Sequence, residues 1–239
     1  MKKGWEKIKT LIVIGSTGSV GESISRRLLK DGFRVIGVGR KLSHLKSLSD
    51  KYLHYKIDLE KVTQSEKEFG RLIKENPEVS GFVHCAGFGE FDNIENMSLP
   101  TIEKLININL LSAIVVTKLL VPKLKSKNEG SLVYIGSEAG LKGSKKGAVY
   151  SASKFALRGF AQSIRDETAK NNVSVTIVNP GMIRGRFFED KNFRPGKDEA
   201  NAIKPSDLAK LVAFIVKDRK GMIIDEINLS QTKKVIEFL

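Results

Sequence analysis

The sequence contains a single cysteine, Cys85, so no internal disulfide can form. A lone thiol suits a reducing compartment, and a cytoplasmic location is expected. Histidine is almost as scarce. His44, His54 and His84 lie far apart without metal-ligand spacing, so no metal site is expected. Long apolar runs are also missing. The run that follows the basic start Met1–Lys9, Leu11 to Ile14, is too short for a signal peptide's apolar core. The longest apolar region, Leu105 to Val121, is broken by Asn107, Asn109, Ser112, Thr117 and Lys118. It reads as a buried amphipathic helix and not as a membrane span. Finally, there is no dense basic block. The net charge of +14 favours anionic partners. The lysines are nevertheless spread along the chain without interleaved aromatics, so neither a nucleic acid nor a membrane is expected as partner.

What is present is an alternation. The 239 residues suffice for one sizeable core, and no linker, repeat or low-complexity stretch divides them, so a single domain over 1–239 is expected. Strand patterns fall at Thr10–Gly15, Arg34–Val38, Tyr52–Ile57, Gly81–His84, Ser131–Gly136, Val173–Val178 and Met222–Asp225. Helical patterns fall between them at Ser19–Lys30, Leu42–Leu48, Thr63–Glu75, Thr101–Lys125, Tyr150–Lys170 and Pro205–Asp218. Several strands, such as TLIVIG and SVTIV, read as continuous runs rather than as an apolar/polar alternation, as strands buried on both faces do. The order predicts an α/β fold, a doubly wound parallel sheet of about seven strands with helices on both faces. Residues 181–200, GMIRGRFFEDKNFRPGKDEA, break the pattern and are expected to form a lid over a site.

The first strand runs into Gly15-Ser-Thr-Gly18-Ser-Val-Gly21 and then into a helix. Glycines there let backbone amides approach a phosphate, and the helix N-terminus adds partial positive charge. Gly15, Ser16, Thr17, Gly18, Val20 and Gly21 are therefore the expected cradle of a dinucleotide in a Rossmann-type unit. No Asp or Glu occurs between Arg34 and Ser49, where an acidic residue would bind a ribose 2′-hydroxyl. Arg40, with Lys41 and Ser43 as helpers, suits a 2′-phosphate instead, so NADP(H) is expected ahead of NAD(H).

Further along, Asp58-Leu59, Cys85-Ala86-Gly87, Asn109, Ser137, Tyr150-Ser-Ala-Ser-Lys154 and Asn179-Pro180-Gly181 occur in order, with Ser137 thirteen residues before Tyr150. With the glycine-rich turn, this series resembles the classical short-chain dehydrogenase/reductase family over nearly the whole chain. The resemblance implies an oxidoreductase that interconverts a carbonyl and a secondary alcohol by hydride transfer. It makes Tyr150 the general acid/base, Lys154 its tuning cation and ribose ligand, Ser137 a donor to the substrate oxygen, and Asn109 part of a proton relay. A lysine one helical turn from a phenol is expected to lower its pKa. The resemblance also places Asp58 and Leu59 beside the adenine, Ala86 and Gly87 by the ribose, and Pro180 and Ile183 at the nicotinamide.

The chain departs from the family pattern in places. Ile14 stands where a threonine is usual, Ser19 at the middle glycine, and Cys85 at an asparagine. Ile183-Arg184-Gly185 lacks the usual threonine. On the substrate side, Phe88, Phe91, Met182, Phe187 and Phe188 offer an apolar wall, and Arg184, Arg186 and Arg194 a pairing site for an acidic group. A small carbonyl or alcohol is expected, such as a 3-oxo or 3-hydroxy acid or acyl compound. By the same resemblance, Thr101–Lys125 and Tyr150–Lys170 would pack across a two-fold axis in a homodimer or homotetramer. The alternative reading is a catalytically silent NADPH-binding sensor, a class that typically loses the tyrosine or the lysine kept here.

Overall fold

The computed structural model describes residues 9–41, 43–47, 49–217 and 221–239. Most of the basic start, Leu42, Leu48 and Asp218 lie outside the described residues. Seven strands form one parallel sheet: β1 (Thr10–Ile14), β2 (Arg34–Gly39), β3 (Tyr52–Lys56), β4 (Val79–His84), β5 (Gly130–Ile135), β6 (Val173–Pro180) and β8 (Glu226–Leu229). Their order across the sheet is β3-β2-β1-β4-β5-β6-β8. The expected doubly wound sheet is therefore present.

Strand residues alternate between two packed layers. Ile12, Ile14, Ile36, Phe82, Leu132 and Ile177 face one layer. There they meet Phe69 and Leu72 of α2 (Val62–Glu75), Val116 and Leu120 of α4 (Ser112–Lys127), and Leu157 of α5 (Ala148–Thr168). Leu11, Val13, Val35, Val83, Val133 and Val178 face the other. They pack on Ile24 and Leu28 of α1 (Ser19–Lys30) and on Leu208 and Val212 of α6 (Pro205–Val216). Both faces are covered, which is why the strands read as unbroken apolar runs.

Four expectations need correction. The last strand is Glu226–Leu229, not Met222–Asp225, which is irregular. It is an edge strand that pairs only with β6, so its half-polar pattern is tolerated and the apolar stretch before it misleads. Within Leu42–Leu48 the described residues form only a short 3₁₀ turn, His44–Ser47. The single helix expected over Thr101–Lys125 is α3 (Leu99–Ile106), a π turn at Asn107–Leu111, and α4. The stretch Leu99–Lys127 is long and apolar enough to cross a bilayer by length and composition, but half of its most apolar window is buried in the protein. It packs as the central core helix. Lastly, the segment expected to be an irregular lid contains β7 (Phe193–Pro195), which pairs antiparallel with β9 (Ile236–Phe238).

Strand order reverses between β1 and β4, and a crevice opens at their carboxyl ends. There the backbone of Gly15 approaches that of Ala86 so closely that a Cβ on Gly15 would lie 2.7 Å from the Ala86 nitrogen.

Candidate active site

The glycine-rich turn is built on close contacts. Gly15 has φ +86°, a conformation that favours glycine, and its amide and that of Ser16 both donate to the Val38 carbonyl. A Cβ on Gly21 would fall 2.2 Å from the Gly15 carbonyl oxygen, so only glycine lets α1 pack down on the turn. Gly18 begins α1 without a side-chain cap. The first-turn amides are therefore not capped by the N-cap side chain and border the cleft, where they suit an anionic diphosphate. The residues present fit a dinucleotide.

One cleft of about 1070 Å³ runs along the carboxyl edge of the sheet. It brings together Gly15, Gly18, Val20, Gly21, Gly87, Ser137, Tyr150, Lys154, Pro180 and Ile183. The remaining expected residues lie around it. Ser16 is fully buried beneath the turn, donating to the Val38 carbonyl and accepting from the Tyr52 hydroxyl, so its side chain supports the turn and does not face the cleft. Thr17 sits over the end of β2, against Gly39. Arg40 and Lys41 are exposed just beyond that strand. Asp58 accepts from the Glu60 amide at the end of β3, and Leu59 and Ala86 are largely buried.

Arg40 is already paired. Its guanidinium lies 3.1 Å from the Glu60 carboxylate, which also binds Lys104 at 3.0 Å. Glu60 gives no signal in sequence, because the pair joins residues 20 positions apart on different elements.

Ser137 follows β5, and Tyr150 and Lys154 lie on one face of α5. The Lys154 ammonium is 5.8 Å from the Tyr150 ring centroid and donates to the Ile135 carbonyl at 3.1 Å. Burial lowers the Lys154 pKa to about 8. The phenol departs from expectation: its pKa is raised, not lowered. Burial dominates, the Ser137 hydroxyl pulls the other way by hydrogen bonding, and Glu138 adds to the rise. The physical cause is a cover of rings. Phe91 lies 5.4 Å and Phe187 6.0 Å from the Tyr150 ring, centroid to centroid.

Asn109 is wholly buried in the π turn, where the Ser112 amide reaches back five residues to the Asn107 carbonyl. Its side chain accepts from the Phe88 amide and donates to the Phe88 carbonyl and the Ser153 hydroxyl. It thereby fixes the loop that carries Gly87. A Cβ on Gly87 would stand 3.2 Å from Asn109 Oδ1 and 3.5 Å from Lys154 Nζ, so both groups close on the same glycine. The Cys85 thiol donates to the Ile14 carbonyl, and burial pushes its pKa up to about 12, which leaves it unreactive.

Ile183 bridges to Ile203, using the Met182 carbonyl and the Arg184 amide. That register turns the Ile183 amide and carbonyl the other way, and Ile183 lines the cleft.

The substrate side needs two corrections. Phe88 lies under the Lys104 ammonium, outside the cleft. Among the lid arginines, Arg184 donates to the Gly196 and Asp198 carbonyls and Arg194 pairs with Glu237, so both tie the lid together. Arg186 reaches the Thr17 carbonyl of the glycine-rich turn. Cations at the mouth come instead from Lys142, Lys145 and Lys146, while Lys234 there is paired with Glu138 at 2.9 Å. Phe193, Ile236 and Phe238 complete the apolar wall with Phe91, Met182, Phe187 and Phe188. Among the described residues, no group of three or more His, Cys, Asp or Glu side chains is placed to hold a metal.

Comparison with known proteins gives the family and the fold. A family model described as short chain dehydrogenase matches residues 9–194. A 3-oxoacyl-[acyl-carrier-protein] reductase of Buchnera aphidicola is 28% identical over 189 residues, covering 77% of each chain. An NADP-dependent 3-hydroxy acid dehydrogenase of Salmonella typhi is 27% identical over 217 residues, 86% of this chain and 88% of its own. The crystal structure of an alcohol dehydrogenase from Thermococcus sibiricus, complexed with 5-hydroxy-NADP, superposes with a TM-score of 0.84 at 22% identity. It covers 96% of this chain and 99% of its own, and shares the fold.

Proposed function

The chain belongs to the short-chain dehydrogenase family, and on that premise we propose that it is an NADP(H)-dependent oxidoreductase that interconverts a carbonyl and a secondary alcohol. The observation that carries the reading is the meeting of Ser137, Tyr150 and Lys154 with the glycine-rich turn in one cleft. The absence of an acidic residue after β2, the presence of Arg40, and the NADP dependence named for the Salmonella relative support the choice of cofactor.

The nicotinamide, when bound, donates or accepts the hydride. The rest falls to side chains of this chain. Gly15, Gly18, Val20 and Gly21 receive the diphosphate, Arg40 the 2′-phosphate, and the Ile183 backbone the carboxamide. The Ser137 hydroxyl donates to the substrate oxygen. Tyr150 gives that oxygen its proton during reduction and takes it back during oxidation. The raised phenol pKa keeps the proton on Tyr150 at neutral pH, the form that donates to the substrate oxygen in reduction. Lys154 holds positive charge behind the phenol below its pKa of about 8, and Asn109, which meets it at Gly87, takes part in the relay that replaces the proton.

The ring-lined wall and lysine-rimmed mouth support a substrate with an apolar body and an anionic end, of the 3-oxo or 3-hydroxy acid or acyl class. A homodimer or homotetramer in the cytoplasm completes the reading, and light scattering tests the assembly. The deciding experiment is loss of NADPH absorbance against ketones, aldehydes, 3-oxo acids and 3-oxoacyl thioesters, with Tyr150→Phe in parallel and NADH as control. Turnover that vanishes in the variant supports the proposal. Tight NADPH binding without turnover on any of them would favour the sensor reading.

A further inference from the structure

Gly185 packs directly on the first turn of α1, where a Cβ would stand 2.8 Å from the Ser19 side chain. The next residue completes the contact. The Arg186 amide donates to Ser19 Oγ at 3.1 Å, and its guanidinium donates to the Thr17 carbonyl at 2.6 Å. Unlike Arg184 and Arg194, whose guanidinium groups hold the lid itself, Arg186 spends its charge on a neutral carbonyl of the glycine-rich turn. Among the described residues no carboxylate pairs with it. It therefore adds a full cation to the uncapped N-terminus of α1, and it lies beside the segment where the usual threonine is missing.

We infer that Arg186 is the lid's ligand for the diphosphate of the dinucleotide, so that the lid is held shut through the cofactor. The inference rests on the dinucleotide reading given above. A guanidinium on diphosphate oxygens makes charge-assisted hydrogen bonds that its bond to a carbonyl does not equal.

The test is calorimetric binding of NADPH and of adenosine 2′-monophosphate, which has the 2′-phosphate but no diphosphate. Arg186→Met should weaken NADPH binding about ten-fold or more and leave adenosine 2′-monophosphate unchanged, and Arg186→Lys should keep an intermediate affinity. Arg40→Ala should weaken both ligands. Equal NADPH affinity in wild type, Arg186→Met and Arg186→Lys would overturn the inference. So would equal weakening of both ligands by Arg186→Met, since that marks a damaged turn. Wild-type protein that binds neither ligand would overturn the dinucleotide reading and this inference with it.

Discussion

The Phe187 ring of the lid lies with its centroid 6.0 Å from that of Tyr150, so the phenol is flanked by the element that also closes on the glycine-rich turn. The rings shield the phenol on that side, and its desolvation raises the pKa, which holds its proton. Tyr150→Phe keeps the ring and removes only the hydroxyl. Turnover should fall about 10²-fold or more while the affinity for NADPH stays within two-fold of wild type. Retained turnover would take the acid/base role from Tyr150.

The Arg40–Glu60 pair sets a competition for the 2′-phosphate. Glu60→Gln frees the guanidinium and removes a negative charge from its surroundings. NADPH should bind about two- to five-fold more tightly, with NADH unchanged, as expected for an exposed ion pair. Isothermal titration with both cofactors checks this, and a loss of NADPH affinity would mean that Glu60 orients Arg40 and does not compete for it.

His84 is wholly buried, bonded to Ser112 through Nε2, and its pKa is lowered to about 3, by burial first and the Lys154 charge second. A folded pKa below the unfolded value of 6.5 means that His84 contributes stability above pH 6.5, and that this is lost as pH falls toward 3. Between pH 7 and pH 4.5, the urea midpoint of wild type should therefore fall more than that of His84→Gln. Parallel declines would remove His84 as a cause of acid lability.

Gly21→Ala places a methyl 2.2 Å from the Gly15 carbonyl oxygen, against backbone that cannot yield cheaply. A loss of about 1–3 kcal/mol in stability is expected, together with weaker NADPH binding. Denaturation and titration read the two effects separately.

The lid is tied to β9 by the Arg194–Glu237 ion pair and by the Lys197 amide, which donates to the same carboxylate. Glu237→Arg sets two guanidinium groups against each other. Protease cleavage within residues 186–198 should become faster and KM for an apolar substrate should rise. Affinity for adenosine 2′-monophosphate should not change, because Arg40 is untouched.

The parts of the site that were legible in sequence are those encoded by short spacings. Gly15, Gly18 and Gly21 sit on one turn, and Tyr150 and Lys154 on one helical face. The sheet was legible because its central strands, buried on both faces, read as short and mainly apolar runs between turn residues. The antiparallel pair of β7 and β9 was not, since it joins three-residue strands from distant parts of the chain, with Arg194 and Glu237 ion-paired across them. The direction of the Tyr150 pKa was missed for a related reason: spacing identifies the nearby cation, but the rings that exclude water come from Phe91 and Phe187, far away in sequence. The lid arginines misled because sequence shows their charge and not their partners.

The π turn at Asn107–Leu111 carries one more residue than a regular helix would need to span the same distance. Each residue advances an α-helix by about 100°. Deleting one residue there would let the helix run straight, and α3 and α4 would then be turned by about that angle against each other. With Val116, Leu120 and Leu124 held in the core, the misalignment would fall on the other side, at Asn109 and the loop it fixes. The surplus residue acts as a phase shift, matching the rotation of a packed helix to the position where the Asn109 side chain holds the loop carrying Gly87.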